Sequence, residues 1–245
     1  MGDRLNPYAP PADDAAKAAR VITSPPGVDG WRYVDPRRIG YPLVGLLVAF
    51  GALTFGLFWI IVATNPVLRD MERGLHDPDV AESYARQARV LMVAKTAVLL
   101  VTYLTFLLFV RRANVNVRAL GATSIRSTPG WAVGWFFVPI AAVWKPYQVM
   151  REIWLASAPQ HRGREWWHAG TPSLLPGWWC GWVLMFLGSW LLQRLDRETI
   201  EERIQFNQWL GIHCLVTLAA TILAALIVYG LVRRQRERAR THGYT

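Results

Sequence analysis

Apolar residues along this chain are bunched rather than periodic. Charged residues are absent from 39–68, 96–110, 127–144, 169–193 and 204–232. A helix that crosses a bilayer needs about 20 mostly apolar residues. The first, fourth and fifth runs reach that length. The second reaches it when it begins near Val90 and takes in Lys95. Four transmembrane helices are therefore expected, over about 41–64, 90–110, 174–193 and 207–232.

The third run is different. Its apolar core, Trp131 to Trp144, has 14 residues, and a run of about 10–14 is more often re-entrant or interfacial than spanning. Pro139 removes one backbone donor inside it. Non-helical backbone at membrane depth is tolerated only against protein or a wet cavity, so a re-entrant Pro139 implies cover from the spans. Lys145, Pro146 and "YQVMREIWLAS" follow. On a helical wheel Tyr147, Val149, Met150, Ile153 and Trp154 share one half. Gln148, Arg151 and Glu152 share the other, with Leu155 among them. The pattern predicts an amphipathic helix, with Pro146 in its first turn, lying in the membrane interface. The fold class expected is all-α: a polytopic membrane helix bundle of four spans with a central re-entrant or interfacial segment at 129–157. The rival is a fifth span, one long tilted helix over 131–157 with Lys145, Arg151 and Glu152 facing a cavity.

Charge favours four spans. Lys and Arg accumulate in cytoplasmic loops, and acids contribute little to orientation. Region 111–168 has eight basic and two acidic residues, and the tail 233–245 has five basic and one acidic. The loops 65–89 and 194–203 each carry one more acidic than basic residue. If the third run does not cross, the N-terminal region, 111–168 and the tail share one basic side. A crossing would put "RRQRERAR" on the side opposite Arg111, Arg112 and Arg118. Both termini are thus expected in the cytoplasm.

Composition supports a membrane protein. The chain is 53% hydrophobic with a mean hydropathy of +0.18, which is rare for a soluble domain of 245 residues. Residues 1–38 lack the apolar core of a cleavable signal and are rich in Pro, Ala and Asp, so they are expected to be a disordered cytoplasmic tail. Residues 39–232 form the membrane domain, its first span uncleaved, and 233–245 a basic cytoplasmic tail. The net charge of +10 raises nucleic acid as a partner. The basic residues flank apolar spans, however, so no nucleic-acid binding is expected. Ten of 13 tryptophans lie between 131 and 190, which suits the headgroup level.

Small residues mark helix packing, since lipid supplies no hydrophobic drive between spans. Gly45, Ala49, Ala52 and Gly56 share one face of the first span, and Gly177, Gly181 and Gly188 line the third. Thr217, Ala220 and Ala224 share a face of the last. Cys180 and Cys214 fall at different depths and read as two small buried hydrophobes. Lys95 reads as a snorkelling side chain near its helix end, and His213 as a residue near an end without a carboxylate partner.

No catalytic constellation stands out. No H-E-x-x-H, C-x-x-C or P-loop occurs. The cluster "HRGREWWH", with His161, Glu165 and His168, is a weak metal candidate because its Gly argues against a helix. No catalytic residue, metal or cofactor is therefore assigned.

Residues 111–157, "RRANVNVRALGATSIRSTPGWAVGWFFVPIAAVWKPYQVMREIWLAS", resemble an uncharacterised bacterial membrane family, the domain of unknown function 4328. The resemblance is strongest at Arg118 to Gly121, Pro129-Gly130-Trp131, Pro139, Pro146-Tyr147, and Arg151-Glu152 with Trp154. It implies a bacterial inner-membrane location and no activity, cofactor or catalytic residue. The function expected is a non-enzymatic lipid- or partner-binding membrane protein. The alternative is a transporter or channel component with a cavity near Lys145, Arg151 and Glu152. Candidate binding residues are Arg118, Arg126, Trp131, Trp135, Lys145, Tyr147, Arg151, Glu152 and Trp154. Expected partners are membrane lipids, anionic ones favoured by the basic residues, and a membrane protein or second copy of the chain.

Overall fold

The structure is a computed structural model that describes residues 30–75, 78–159 and 170–241. Helix α1 covers Arg37–Glu72, α2 Pro78–Ala119, α3 Pro129–Gly134, α4 Lys145–Ala156, α5 Leu174–Leu192 and α6 Ile200–Thr241. A 3-10 turn occupies Ala141–Val143. No strand occurs among the described residues. Helices α1, α2, α5 and α6 are long and apolar enough to cross a membrane, so the chain is an all-α membrane helix bundle with four spans. The long tilted helix over 131–157 does not form. Two short elements and a stretch of turns stand in its place.

Local chemistry explains the helix ends. Asp35 Oδ1 accepts from the Arg37 N–H at 3.0 Å, and Pro36 suits the first turn of α1. Thr199 and Glu202 form a capping box at the start of α6: the Glu202 N–H donates to Thr199 Oγ1, and Glu202 Oε2 accepts from the Thr199 N–H. Three helices extend well past the apolar runs. Helix α1 continues to Glu72, α2 starts at Pro78, and α6 runs on to Thr241 through most of the stretch expected to be a basic tail. Hydropathy reports only the apolar part of a helix, whereas Arg, Glu and Gln are good helix formers outside it. Lys95 and His213 consequently lie several turns inside their helices rather than near an end.

The chain forms two compact units, and each long helix supplies a stretch to both. The first unit, here the apolar unit, comprises Leu43–Leu104 and Pro176–Leu226. Leu57, Ile61 and Cys214 form one of its cores, with Leu210 and Phe58 packed against them, and Leu68, Ala81 and Ile204 form another. Its exterior is apolar: Phe55, Trp59, Leu100, Phe186 and Trp209 are all more than half exposed. Water-facing surfaces do not carry so many large hydrophobes together, and lipid-facing ones do.

Within this unit the glycines of α5 lie against α6, whereas most of the small residues singled out on α1 are exposed. A Cβ added at Gly181 would lie 3.0 Å from Ala220 Cβ, and one at Gly188 only 2.8 Å from His213 Cδ2, so α5 and α6 approach closely there. Gly177 lies beside Leu223 at an ordinary 3.5 Å. Ala220, Ala224 and Thr217 are buried as that interface requires. On α1, by contrast, Gly45, Ala49 and Ala52 are exposed and nothing comes within 4 Å of a Cβ at Gly45. A Cβ at Gly56 would meet Leu91 Cδ1 at an ordinary 3.5 Å. The buried stripe of α1 is Leu43, Leu47, Phe50, Thr54, Leu57 and Ile61. Its alternating four- and three-residue steps place bulky side chains on one face, and that face is enclosed in place of the small one. Cys214 is buried as expected, but Cys180 is exposed, and both thiols are free.

Candidate functional site

The second unit, the polar unit, comprises Met1–Pro42, Thr105–Leu175 and Ile227–Thr245. It contains the insert between α2 and α5, and its architecture begins where α2 stops. Gly121 takes φ +79, a left-handed conformation that favours glycine. The Ala122 N–H then donates to Val117 O and the Gly121 N–H to Arg118 O, both at 2.9 Å. This pair of bonds is the Schellman pattern, which satisfies carbonyls that the helix end would leave open.

Side chains of the last α2 turns hold the chain that follows. Arg118 donates through Nη2 to Ile125 O at 3.1 Å and Ser127 O at 3.0 Å, and through Nε to Asn114 Oδ1. Asn114 Nδ2 donates to the same Ser127 carbonyl. Asn116, fully buried, pairs with the backbone of Val34: its Oδ1 accepts from the Val34 N–H at 3.1 Å and its Nδ2 donates to Val34 O at 2.9 Å. Arg112 donates to Arg32 O, and the Arg118 guanidinium lies 5.8 Å from the Trp31 ring centre. Residues 31–38, grouped by composition with a disordered tail, are thus tied to α2. Residues 1–29 lie outside the described residues.

Helix α4 is enclosed rather than laid on a surface. Every residue from Glu152 to Ala158 is buried, as are Val149 and Met150. The wheel placed Glu152 on the polar half with Arg151, but its carboxylate accepts from the Arg126 N–H at 2.7 Å and is 3% exposed. Burial pushes its carboxyl above the ordinary value. Backbone donors at Arg126 and Ser127, and then the charges of Arg126 and Arg118, oppose that shift. Trp154 packs where a Cβ on Gly230 would stand 2.8 Å from its ring, and Arg234 lies 4.4 Å over that ring. Amphipathicity correctly marked the helix, but on its polar side Glu152 meets backbone donors rather than water, while Gln148 stays exposed.

The end of α6 completes this core. Gln235, fully buried, accepts from Asn116 and donates to Ala113 O at 3.0 Å and Ser157 Oγ at 3.3 Å. Arg238 is 1% exposed and donates to Leu120 O and Ala156 O. Those two carbonyls lie at the C-terminal ends of α2 and α4. Helix C-termini carry unsatisfied carbonyls and partial negative charge. A buried guanidinium is therefore compensated here by two helix ends.

The rest of the insert divides between a few inward side chains and a larger outward set. Thr128 Oγ1 accepts from the Trp131 N–H and Pro129 opens α3, a cap-and-proline start. Ala132, Phe136 and Ala141 point inward, with Phe136 against Phe106 at 5.8 Å. Trp131, Phe137, Ile140, Val143 and Trp144 are 44–77% exposed. The Trp131 and Trp135 rings stand 4.7 Å apart, and Lys145 Nζ is 5.3 Å from Trp135. Pro139 is exposed in the turn rather than covered. Local i to i+3 and i+4 bonds satisfy the N–H groups of 135–137 and 142–144, so these backbone donors need no cover from other helices.

The candidate binding residues thus divide. Arg118, Glu152 and Trp154 are structural, holding the insert closed. Trp131, Trp135 and Lys145 gather at the outward aromatic cluster, and Arg126 is exposed near the start of the insert. Arg151 donates to Thr171 Oγ1 at 2.9 Å, and Tyr147 is half-buried. The cavity expected around Lys145, Arg151 and Glu152 is not seen at Glu152, which is enclosed. The cluster at His161, Glu165 and His168 lies outside the described residues. Among the described residues no three His, Cys, Asp or Glu side chains converge as metal ligands would. Sequence reasoning missed Asn114, Asn116, Gln235 and Arg238. The four-residue step from Asn114 to Arg118 was a readable signal; Arg238 was hidden in a run of arginines.

The family described as "Domain of unknown function (DUF4328)" matches over residues 72–235, about two thirds of the chain. No curated protein and no solved structure matches this sequence.

Proposed function

The chain belongs to the DUF4328 family, and from that premise we propose that it is a non-enzymatic multi-pass protein of the bacterial inner membrane that binds anionic lipid at its insert. Both termini and the insert lie on the basic, cytoplasmic side. The observation that carries this reading is the exposed face of Trp131, Phe137, Ile140, Val143 and Trp144, with Lys145 beside Trp135. Tryptophan favours the headgroup level, and a basic residue near the bilayer attracts anionic lipid by about 1 kcal/mol. Local turns leave the insert without a large backbone penalty at that depth. A membrane protein partner, or a second copy, would meet the same face.

The test compares lipids that co-purify with the wild-type protein and with an Arg126→Gln/Lys145→Gln variant. These two side chains are chosen because Arg118 is committed to backbone carbonyls. Enrichment of phosphatidylglycerol over phosphatidylcholine is expected to fall several-fold in the variant. Unchanged enrichment rejects lipid binding at the insert.

A further inference from the structure

A second feature lies in the apolar unit and is independent of the function proposed for the insert. A cavity of about 700 Å³ is bounded by residues of all four spans, within the roughly 300–1,000 Å³ typical of ligand pockets. Its walls are mostly apolar, including Leu57, Val93, Leu99, Leu192, Phe206 and Leu210. Lys95, Ser189 and His213 also line it, and no Asp or Glu does.

Among the described residues Lys95 makes no hydrogen bond or ion pair. The contact its ammonium makes is with the Phe50 ring, 5.5 Å away. A charge inside a spanning helix is costly unless paired, and marks a functional site by default. The donors of the two neighbouring polar groups are already committed, and His213 Nδ1 is buried without a hydrogen-bond partner. His213 Nε2 lies 3.0 Å from Met185 O, which can only accept, so this nitrogen carries the proton. Ser189 Oγ donates to Met185 O as well, at 2.9 Å. Gly188 lets the His213 ring sit this close, since a Cβ there would collide with it. Arg197, at another edge, stacks 3.8 Å from the Phe206 ring and donates to Leu192 O. Arg197 is held by a ring and a carbonyl, so among the described residues the ammonium of Lys95 is the cation lining the cavity that makes no hydrogen bond, and it is the one placed to take an acidic group.

We propose that this cavity binds an amphiphile with one acidic head group and a hydrocarbon chain, the head group pairing with Lys95 and the chain lying along the leucine walls. The α2 side of the cavity is formed by Met92, Val93, Leu99 and Leu100, all exposed on an apolar surface. A ligand that partitions into lipid reaches the cavity through that side. A small soluble anion would leave the apolar walls unfilled.

The experiment uses the full-length protein in phosphatidylcholine nanodiscs and measures saturable binding of labelled palmitate, with thermal melting recorded alongside. Palmitate is expected to bind and to raise the melting temperature. Unlabelled palmitate and hexadecyl phosphate should both compete, their ranking showing whether carboxylate or phosphate is preferred, while hexadecanol should not. Lys95→Gln is expected to weaken binding at least tenfold. Leu99→Trp fills the cavity and should also abolish binding; a wild-type melt shows that it still folds. The Arg126→Gln/Lys145→Gln variant should bind palmitate normally, which separates this site from the insert. Undiminished binding in Lys95→Gln, equal competition by hexadecanol, or loss of binding in the insert variant overturns the proposal.

Discussion

The same four helices build two interiors of opposite chemistry. In the polar unit, Asn114, Asn116, Gln235 and Arg238 are buried and their bonds reach backbone carbonyls and amides of α2, α4 and the segments beside them. In the apolar unit, contact is made mostly by leucines and by the close approach of Gly181 to Ala220, with isolated polar links such as Asn207 to Asn65 and His213 to Met185. Directional hydrogen bonds specify one arrangement of irregular chain, which small-residue packing cannot do. An insert made of short helices and turns needs such specification. Straight spans do not, because their backbone bonds are internal.

The comparison is broken hardest at Arg238. Arg238→Ala leaves the ends of α2 and α4 without their shared donor and opens a void, so a loss of roughly 2–5 kcal/mol is expected. Thermal or denaturant unfolding of the purified protein checks it, and a change near zero would mean that the helix ends do not depend on the guanidinium. In the apolar unit, Gly181→Val should cost about 1–3 kcal/mol by overpacking against Ala220. Gly45→Val, at an exposed position of α1 with open space, should leave the same melt unchanged.

The smallest effect concerns Glu152. Its carboxyl in the folded protein titrates above the ordinary value of 4.5, because burial outweighs its backbone donors and nearby arginines. A group whose folded pKa is raised holds its proton more tightly when folded, so stability falls as pH rises from about 4.5 through the folded value. Wild-type protein should be more stable in mild acid than at neutral pH on this account. Glu152→Gln keeps an acceptor for the Arg126 N–H and should flatten that slope, as melts across the pH range would reveal.

Much of the architecture was legible from residue patterns. Uncharged runs located the four spans, the short run from Trp131 to Trp144 with Pro139 inside it announced a break, and helical spacing found α4. The burial of α4 was not legible, because a wheel cannot tell water from a cluster of backbone N–H groups facing Glu152. Nor was Arg238, since a guanidinium satisfied by two helix ends looks, in sequence, like any arginine of a basic tail. The α1 face was misjudged for a different reason: small residues at helical spacing permit close packing but do not compel it when a bulkier stripe runs beside them. Lys95 and His213 were discounted because apolar runs understated the lengths of α2 and α6.

The central claim is that the insert enters and leaves on one side of the membrane, so that four spans place both termini together. Paired reporter fusions at the N- and C-termini of the full-length chain, read for which side each occupies, test it most directly. Both reporters on the cytoplasmic side are the expected result. An N-terminus inside and a C-terminus outside would contradict the account, because the segment from Pro129 to Ser157 would then have to cross.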